Sequence, residues 1–251
     1  MPISTVSVTC LYLAGGAYVL SFVAFVLRKE RITDVFFNGG FLLHTISQVS
    51  RGWFIGIFSS HALLEGVFFL PWCLAFLTLC LRFRKNNTHL IYSALIPLLL
   101  FLLIASLYPK GIVPPSPQGQ TVFSSLFFVF EVMAHAFFCL GAWFSLRYLY
   151  HTKDAVFFDS FVIWGFILYS IAQVVGAIWS YLGWASLFNW SQRHLQSAST
   201  WCFYAGYIHL RFLSHCDMKK KAWVSLAGFL IVFYFSYVSH LREITMTRLG
   251  G

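Results

Sequence analysis

Apolar stretches recur eight times along this chain, near residues 7–27, 33–52, 62–82, 89–108, 120–149, 156–184, 195–214 and 222–241. Each approaches or exceeds the roughly 20 residues that cross about 30 Å of hydrocarbon as an α-helix. The runs are continuous rather than alternating. That selects helices over a β-barrel, because a lone helix satisfies its own backbone hydrogen bonds in lipid. Composition closes the soluble alternative. Of 251 residues, 59% are hydrophobic and only 10% charged, with a mean hydropathy of +0.75, which is too little polar surface to face water. The sequence predicts an all-α polytopic membrane bundle of about eight transmembrane helices, a single transmembrane domain over residues 1–251.

Orientation follows from the basic residues, since cytoplasmic loops carry the Lys and Arg excess. Arg28, Lys29, Arg31, Arg82, Arg84, Lys85, Arg147, Lys153, Arg211, Lys219, Lys220 and Lys221 fall on one side, and Arg51, Lys110, Arg193, Arg242 and Arg248 on the other. Both termini are therefore expected outside, N-out and C-out. The formal charge of +9 describes topology and contact with membrane lipid, not nucleic acid, and Lys219 to Lys221 read as a topology signal that meets anionic lipid. No Lys or Arg occurs in the first 27 residues. The first run thus lacks the basic n-region of a signal peptide and is expected to persist as an outside-to-inside span.

Several chemistries are excluded. The cysteines Cys10, Cys73, Cys80, Cys139, Cys202 and Cys216 form no Cys-x-x-Cys and no Cys-x-x-Cys-His, so neither a covalent c-type haem nor a dithiol redox site is encoded; they read as small packing residues. A Gly-rich phosphate loop, zinc-ligand spacing and a nucleophile elbow are all missing, as is the internal repeat of a broken-helix transporter. Pro109 to Gln120, with Pro114, Pro115 and Pro117, reads as a plain outer loop.

The outer segment Gly176 to His194 is richer. Trp179, Trp184 and Trp190 stand there with Phe188, close to Arg193 and His194. Tryptophan anchors at the headgroup depth in any membrane protein, and belt anchoring is one reading. The other is an aromatic shelf with polar ends, suited to a flat conjugated ligand that carries carboxylates.

Inside the bundle, an ionisable side chain is a functional-site hypothesis by default. His44, Gln48 and Arg51 lie four and three residues apart and share a helix face. Ser199, Cys202, Gly206 and His209 repeat at three, four and three, a face small enough for another helix or a porphyrin to approach. Neutral histidine is a standard haem iron ligand, whereas the bland reading has each histidine hydrogen-bonding across helices. Glu131 and His135, four apart, can bond to each other on one face, either as a structural pair or as a proton relay or alternative haem ligand. His61, His194 and His240 are expected outside, as a substitute outer site or as interfacial residues; His89, His151 and His215 read as solvated loop residues.

The segment Gly176 to Arg211 resembles the tryptophan-rich signature of the CcsA/ResC-type cytochrome c biogenesis proteins, in the wider haem-handling group with CcmC and CcmF. Gly176, Trp179, Trp184, Trp190, Trp201, Ala205, Tyr207, His209 and Arg211 carry the match, with Tyr207-Ile-His209-Leu-Arg211 similar to the family's Tyr-Leu-His-x-Arg ending. Upstream, His44-Thr with Arg51 seven residues after the histidine resembles a second family motif, and Glu65 falls where the family places a glutamate. The family's Trp-Asp-Pro-x-Glu core stands here as Trp190-Ser191-Gln192-Arg193-His194, without its acids or its proline. The first of the family's two outer histidines falls at Phe127, and His240 lies near the second.

The resemblance implies a membrane protein that binds haem b non-covalently and holds or delivers it for attachment to apocytochrome c. His44 and His209 would be the axial ligands and Trp179, Trp184 and Trp190 the outer haem surface; Arg51, Arg193 and Arg211 are, by their charge, candidates for propionate contacts. At most it would be the haem-presenting subunit of a synthase, with a second membrane subunit of the CcsB/ResB type, in a bacterial inner membrane rather than a thylakoid. A HemX-like accessory or regulatory protein of haem synthesis is the alternative.

Overall fold

The computed structural model describes residues 3–55, 63–84, 88–108, 121–150, 158–213 and 217–238. Among them all regular structure is helical, as lipid demands of a chain with no closed barrel. The chain divides into two compact units, Met1–Gln120 and Thr121–Gly251.

In the first unit, α1 (Ile3–Val26) and α2 (Glu30–Ile55) form a closely packed hairpin. The chain reverses at Arg28, whose φ of 57° places a non-glycine residue in the left-handed region, and Lys29 N–H closes the turn onto the Ala24 carbonyl at 2.9 Å. The hairpin seam is written in heptad spacing. Ser7, Leu11, Ala14, Tyr18 and Ser21 on α1 are buried, as are Thr33, Phe37, His44, Ser47 and Arg51 on α2, with Gly40 completing the second row. Alternating steps of three and four keep one face against the partner. Small polar residues bind the seam at both ends: Ser47 Oγ donates to the Ser7 carbonyl at 2.7 Å, and Ser21 Oγ to the Thr33 carbonyl at 3.0 Å. Such bonds and close packing hold helices together where lipid removes the hydrophobic incentive.

The unit continues with α3 (Leu63–Arg84), which contains Pro71, and then with α4 (Thr88–Tyr92) and α5 (Leu95–Leu107). The last two form one span, Leu90–Leu107, interrupted where Ser93 Oγ turns back onto the Leu90 carbonyl at 2.6 Å. The Asp34 carboxylate joins three of these elements, accepting from Arg82 of α3 and from the Tyr92 hydroxyl of α4.

The second unit holds α6 (Val122–Tyr150), α7 (Phe158–Trp184), α8 (Gln192–His209), a 3-10 turn (Leu210–Phe212), and α9 (Met218–Phe233) running into a π turn (Tyr234–Val238). Helix α6 is central, packing along both α7 and α9. Its Phe138 stacks on Tyr204 of α8 at 3.6 Å between ring centroids, within a core that includes Val162, Tyr169, Tyr207 and Val232. Tyr207 OH donates to Asp159 at 3.0 Å, fixing the end of α8 to the start of α7.

Six spans among the described residues are long and apolar enough to cross a membrane. The other two expected crossings are α2 and α8, of 26 and 18 residues, whose histidines, serines, glutamines and arginines lower their hydropathy. The expected seventh run, 195–214, is shifted: α8 ends at His209 and tightens into the 3-10 turn. The outer loop expected from Pro109 to Gln120 lies outside the described residues, and so do Cys216, His61, His151, His215 and His240. The other five cysteines are free thiols.

Candidate functional site

His44 sits in the middle of the α1–α2 seam with no solvent exposure. Neither of its ring nitrogens meets a hydrogen-bond partner among the described residues. The Phe68 carbonyl of α3 lies beside the imidazole and accepts from Gln48 Nε2 at 2.8 Å. One turn on, the buried Arg51 holds its guanidinium over the Phe68 ring, 4.4 Å from the centroid. The predicted face is therefore real: His44, Gln48 and Arg51 all converge on Phe68. A buried imidazole whose nitrogens meet no hydrogen-bond partner among the described residues keeps a lone pair that a ligand could take up.

His209 is the last residue of α8, and its Nδ1 lies 2.7 Å from the Ala205 carbonyl. A carbonyl can only accept, so Nδ1 carries the proton and the lone pair is left on Nε2. That is the tautomer in which metal-binding histidines are held by a backbone oxygen. The ring is exposed, as are Ser199, Cys202 and Gly206 above it on the same face, and a methyl group added at Gly206 would meet nothing within 4 Å. The small-residue face read from the sequence is thus open, with an oriented imidazole at its lower end. Arg211 follows in the 3-10 turn.

At the other end of the second unit the tryptophans divide into two clusters rather than one shelf. Trp179 and Trp184 meet edge to face at 5.5 Å, and Trp179 packs on Phe127 and Phe128 of α6 at 5.8 and 5.9 Å. Gly176 makes this possible, since a Cβ there would lie 2.8 Å from the Phe127 ring. Phe127, standing where the resemblance expects a histidine, is a packing partner of the loop. The second cluster is Phe188 with Trp190 and His194 at 5.6 and 5.3 Å. His194 Nδ1 lies 3.0 Å from Ser191 Oγ, and Trp190 is 84% exposed. Exposed Trp184, Trp190 and Phe188 suit the belt reading and the ligand-surface reading alike.

The pairing expected of Glu131 and His135 is resolved differently. His135, buried on α6, has Nδ1 3.4 Å from the Tyr237 hydroxyl after α9 and its ring against Tyr169. Sequence reasoning missed Tyr237 and Tyr169 as neighbours of His135, because the contacts bridge separate helices. No group of three or more His, Cys, Asp or Glu side chains able to hold a metal ion occurs among the described residues.

A model of the cytochrome c assembly protein family matches residues 60–246. The cytochrome c biogenesis protein CcsA of Chlamydomonas reinhardtii is 25% identical over 201 residues, covering 71% of this chain and 57% of that protein. The CcsA protein of Prochlorococcus marinus strain MIT 9312 is 30% identical over 79 residues, or 32% of this chain and 25% of that one. Each alignment thus spans less than two thirds of the relative. Among solved structures, the cytochrome c heme lyase CcmF has the same fold over all of this chain and 51% of its own, with a TM-score of 0.71 at 13% identity.

Proposed function

The chain belongs to the cytochrome c assembly protein family, and we propose that it holds haem b non-covalently within the membrane and delivers it for attachment to apocytochrome c. The observation that carries this reading is the state of two imidazoles, His44 and His209. His44 is buried with neither nitrogen hydrogen-bonded among the described residues, and His209, its Nδ1 held by the Ala205 carbonyl, stands exposed at the end of an open face. Each would hold haem iron through a ring nitrogen. Haem, when bound, supplies the iron and its redox chemistry. The chain supplies the imidazoles, a His209 tautomer fixed by Ala205, positive charge at Arg51, Arg193 and Arg211 for propionates, and two exposed aromatic groups, Trp184 beside Trp179 and Trp190 beside Phe188, for the macrocycle edge. A membrane subunit of the CcsB/ResB type would present the apocytochrome, in a bacterial plasma membrane with both termini outside.

A HemX-like accessory role is the second reading, favoured by Phe127 filling, against Trp179, the place where the resemblance puts a histidine. The test is the oxidised and reduced absorption spectrum of the detergent-purified chain. The proposal expects a low-spin b-type spectrum that is lost or converted in both His44→Ala and His209→Ala. A colourless wild type that stays colourless after haem addition overturns it. Deleting the gene and staining for covalent c-type haem separates the two roles. Normal cytochrome c maturation with altered haem-precursor levels would establish the accessory reading.

A further inference from the structure

The seam between α1 and α2 contains a second buried polar side chain without a partner. Tyr18 is wholly enclosed, and its hydroxyl, like both nitrogens of His44, makes no hydrogen bond among the described residues. The two rings meet edge to face with centroids 6.1 Å apart. Elsewhere the seam satisfies its polar groups carefully, with Ser7 to Ser47 at one end and Ser21 to Thr33 at the other. The three orphaned atoms are therefore concentrated at one place.

Helix geometry aims them at each other. Ser7 pairs with Ser47 and Ser21 with Thr33, so the helices run antiparallel. Side chains lean toward the N-terminus of their own helix. Tyr18 thus leans along α1 toward the Ser7 end, while His44 leans along α2 toward Gly40. They converge over Gly40, one helical turn before His44. A Cβ at Gly40 would sit 3.1 Å from two carbons of the Tyr18 ring, so glycine there is the seat that lets the phenol lie against α2. Phe37, 5.8 Å away, closes the other side of the ring.

We propose that Tyr18 is a positioning residue for His44, its phenol joined by a hydrogen bond, direct or through one water, to the imidazole nitrogen that faces away from the ligand. Two unpartnered buried groups with apolar surroundings are what such a water or a slight ring rotation would satisfy. A metal-ligating histidine is ordinarily fixed in tautomer and basicity by a partner on its second nitrogen. Tyr18 is the side chain placed to be that partner. The inference rests on the reading of His44 as a haem ligand only for its effect on iron, not for the contact itself.

The experiment is NMR of the full-length, detergent-solubilised protein, haem-free, with ring-15N-labelled histidine. The His44 signals are assigned by their loss in His44→Gln. Tyr18→Phe keeps the ring and removes only the hydroxyl; the expected result is displaced His44 ring resonances with the other eight of nine histidines unmoved. Gly40→Ala, which unseats the phenol, should displace the same resonances. His44 resonances unmoved in Tyr18→Phe overturn the proposal. In the haem-loaded protein Tyr18→Phe should retain haem while changing the oxidised-to-reduced ratio at fixed poise about tenfold, or 59 mV for one electron. An unchanged potential overturns the positioning role. Failure of the haem reading shows elsewhere, as an unaltered haem spectrum in His44→Ala, and leaves the NMR comparison to decide the contact.

Discussion

Gly176→Ala measures how tightly α6 and α7 are drawn together beneath the tryptophan-rich segment. A Cβ at Gly176 would lie 2.8 and 3.0 Å from two carbons of the Phe127 ring, where ordinary contact begins at 3.4 Å. The ring must retreat by about half an ångström, and Trp179, packed on it at 5.8 Å, resists. Overpacking of this kind costs roughly 1–3 kcal/mol. Against it stands the intrinsic preference of a helix for alanine over glycine, about 1 kcal/mol. The net expectation is a loss of about 0–2 kcal/mol. Gly39→Ala on α2 is the control, because nothing lies within 4 Å of a Cβ there; it should show the propensity gain alone. Equilibrium unfolding in detergent followed by helical circular dichroism gives both values. The gap between the two substitutions should equal the packing cost, and Phe127→Ala should abolish that gap. Equal effects of Gly176→Ala and Gly39→Ala, or a gap that survives in the Phe127→Ala background, would refute the reasoning.

Two further substitutions probe other parts of the chain. Gly206→Leu fills the open face above His209 and should lower haem retention at least tenfold without loss of helical circular dichroism; full retention would mean that this face is not where the macrocycle approaches. Asp34→Ala removes the acceptor shared by Arg82 and Tyr92 and should cost about 1–2 kcal/mol of unfolding free energy, limited by partial exposure of the ion pair. Asp34→Asn, which keeps an acceptor for the Tyr92 hydroxyl, should cost less than Asp34→Ala, and a larger loss would contradict that assignment.

The helices were legible because lipid imposes one solution on a 20-residue apolar run, and the expected boundaries fall within a few residues of α1 to α7. The seventh run misled. Leu210, Arg211 and Phe212 continue the hydropathic pattern of α8, yet the backbone there tightens into a 3-10 turn, a change that hydropathy does not register. Helices α2 and α8 are the least apolar of the expected crossings. The residues that lower their mean hydropathy are the polar groups of the candidate site, so the helices that least resemble membrane spans are those that carry it.

What remained illegible is a matter of pairing across distance. Asp34 meets Arg82 and Tyr92 across 48 and 58 residues, and His135 meets Tyr237 across 102; no local period encodes such partners. The sequence placed His135 with Glu131 because both lie on one face of α6, but a helix face fixes only direction. The neighbouring helix chooses the contact. Tyr18 is the instructive case. Its position in the row Ser7, Leu11, Ala14, Tyr18, Ser21 could be read as a heptad, and Gly40 and His44 fall in the matching row of α2. Register alone turns those two rows into a tyrosine over a glycine beside an imidazole. Register is set at the seam's ends, by Ser7 with Ser47 and Ser21 with Thr33. Sliding one helix by a single residue would rotate Tyr18 off Gly40 and break both serine contacts together. The serines therefore act on the histidine's surroundings without touching it.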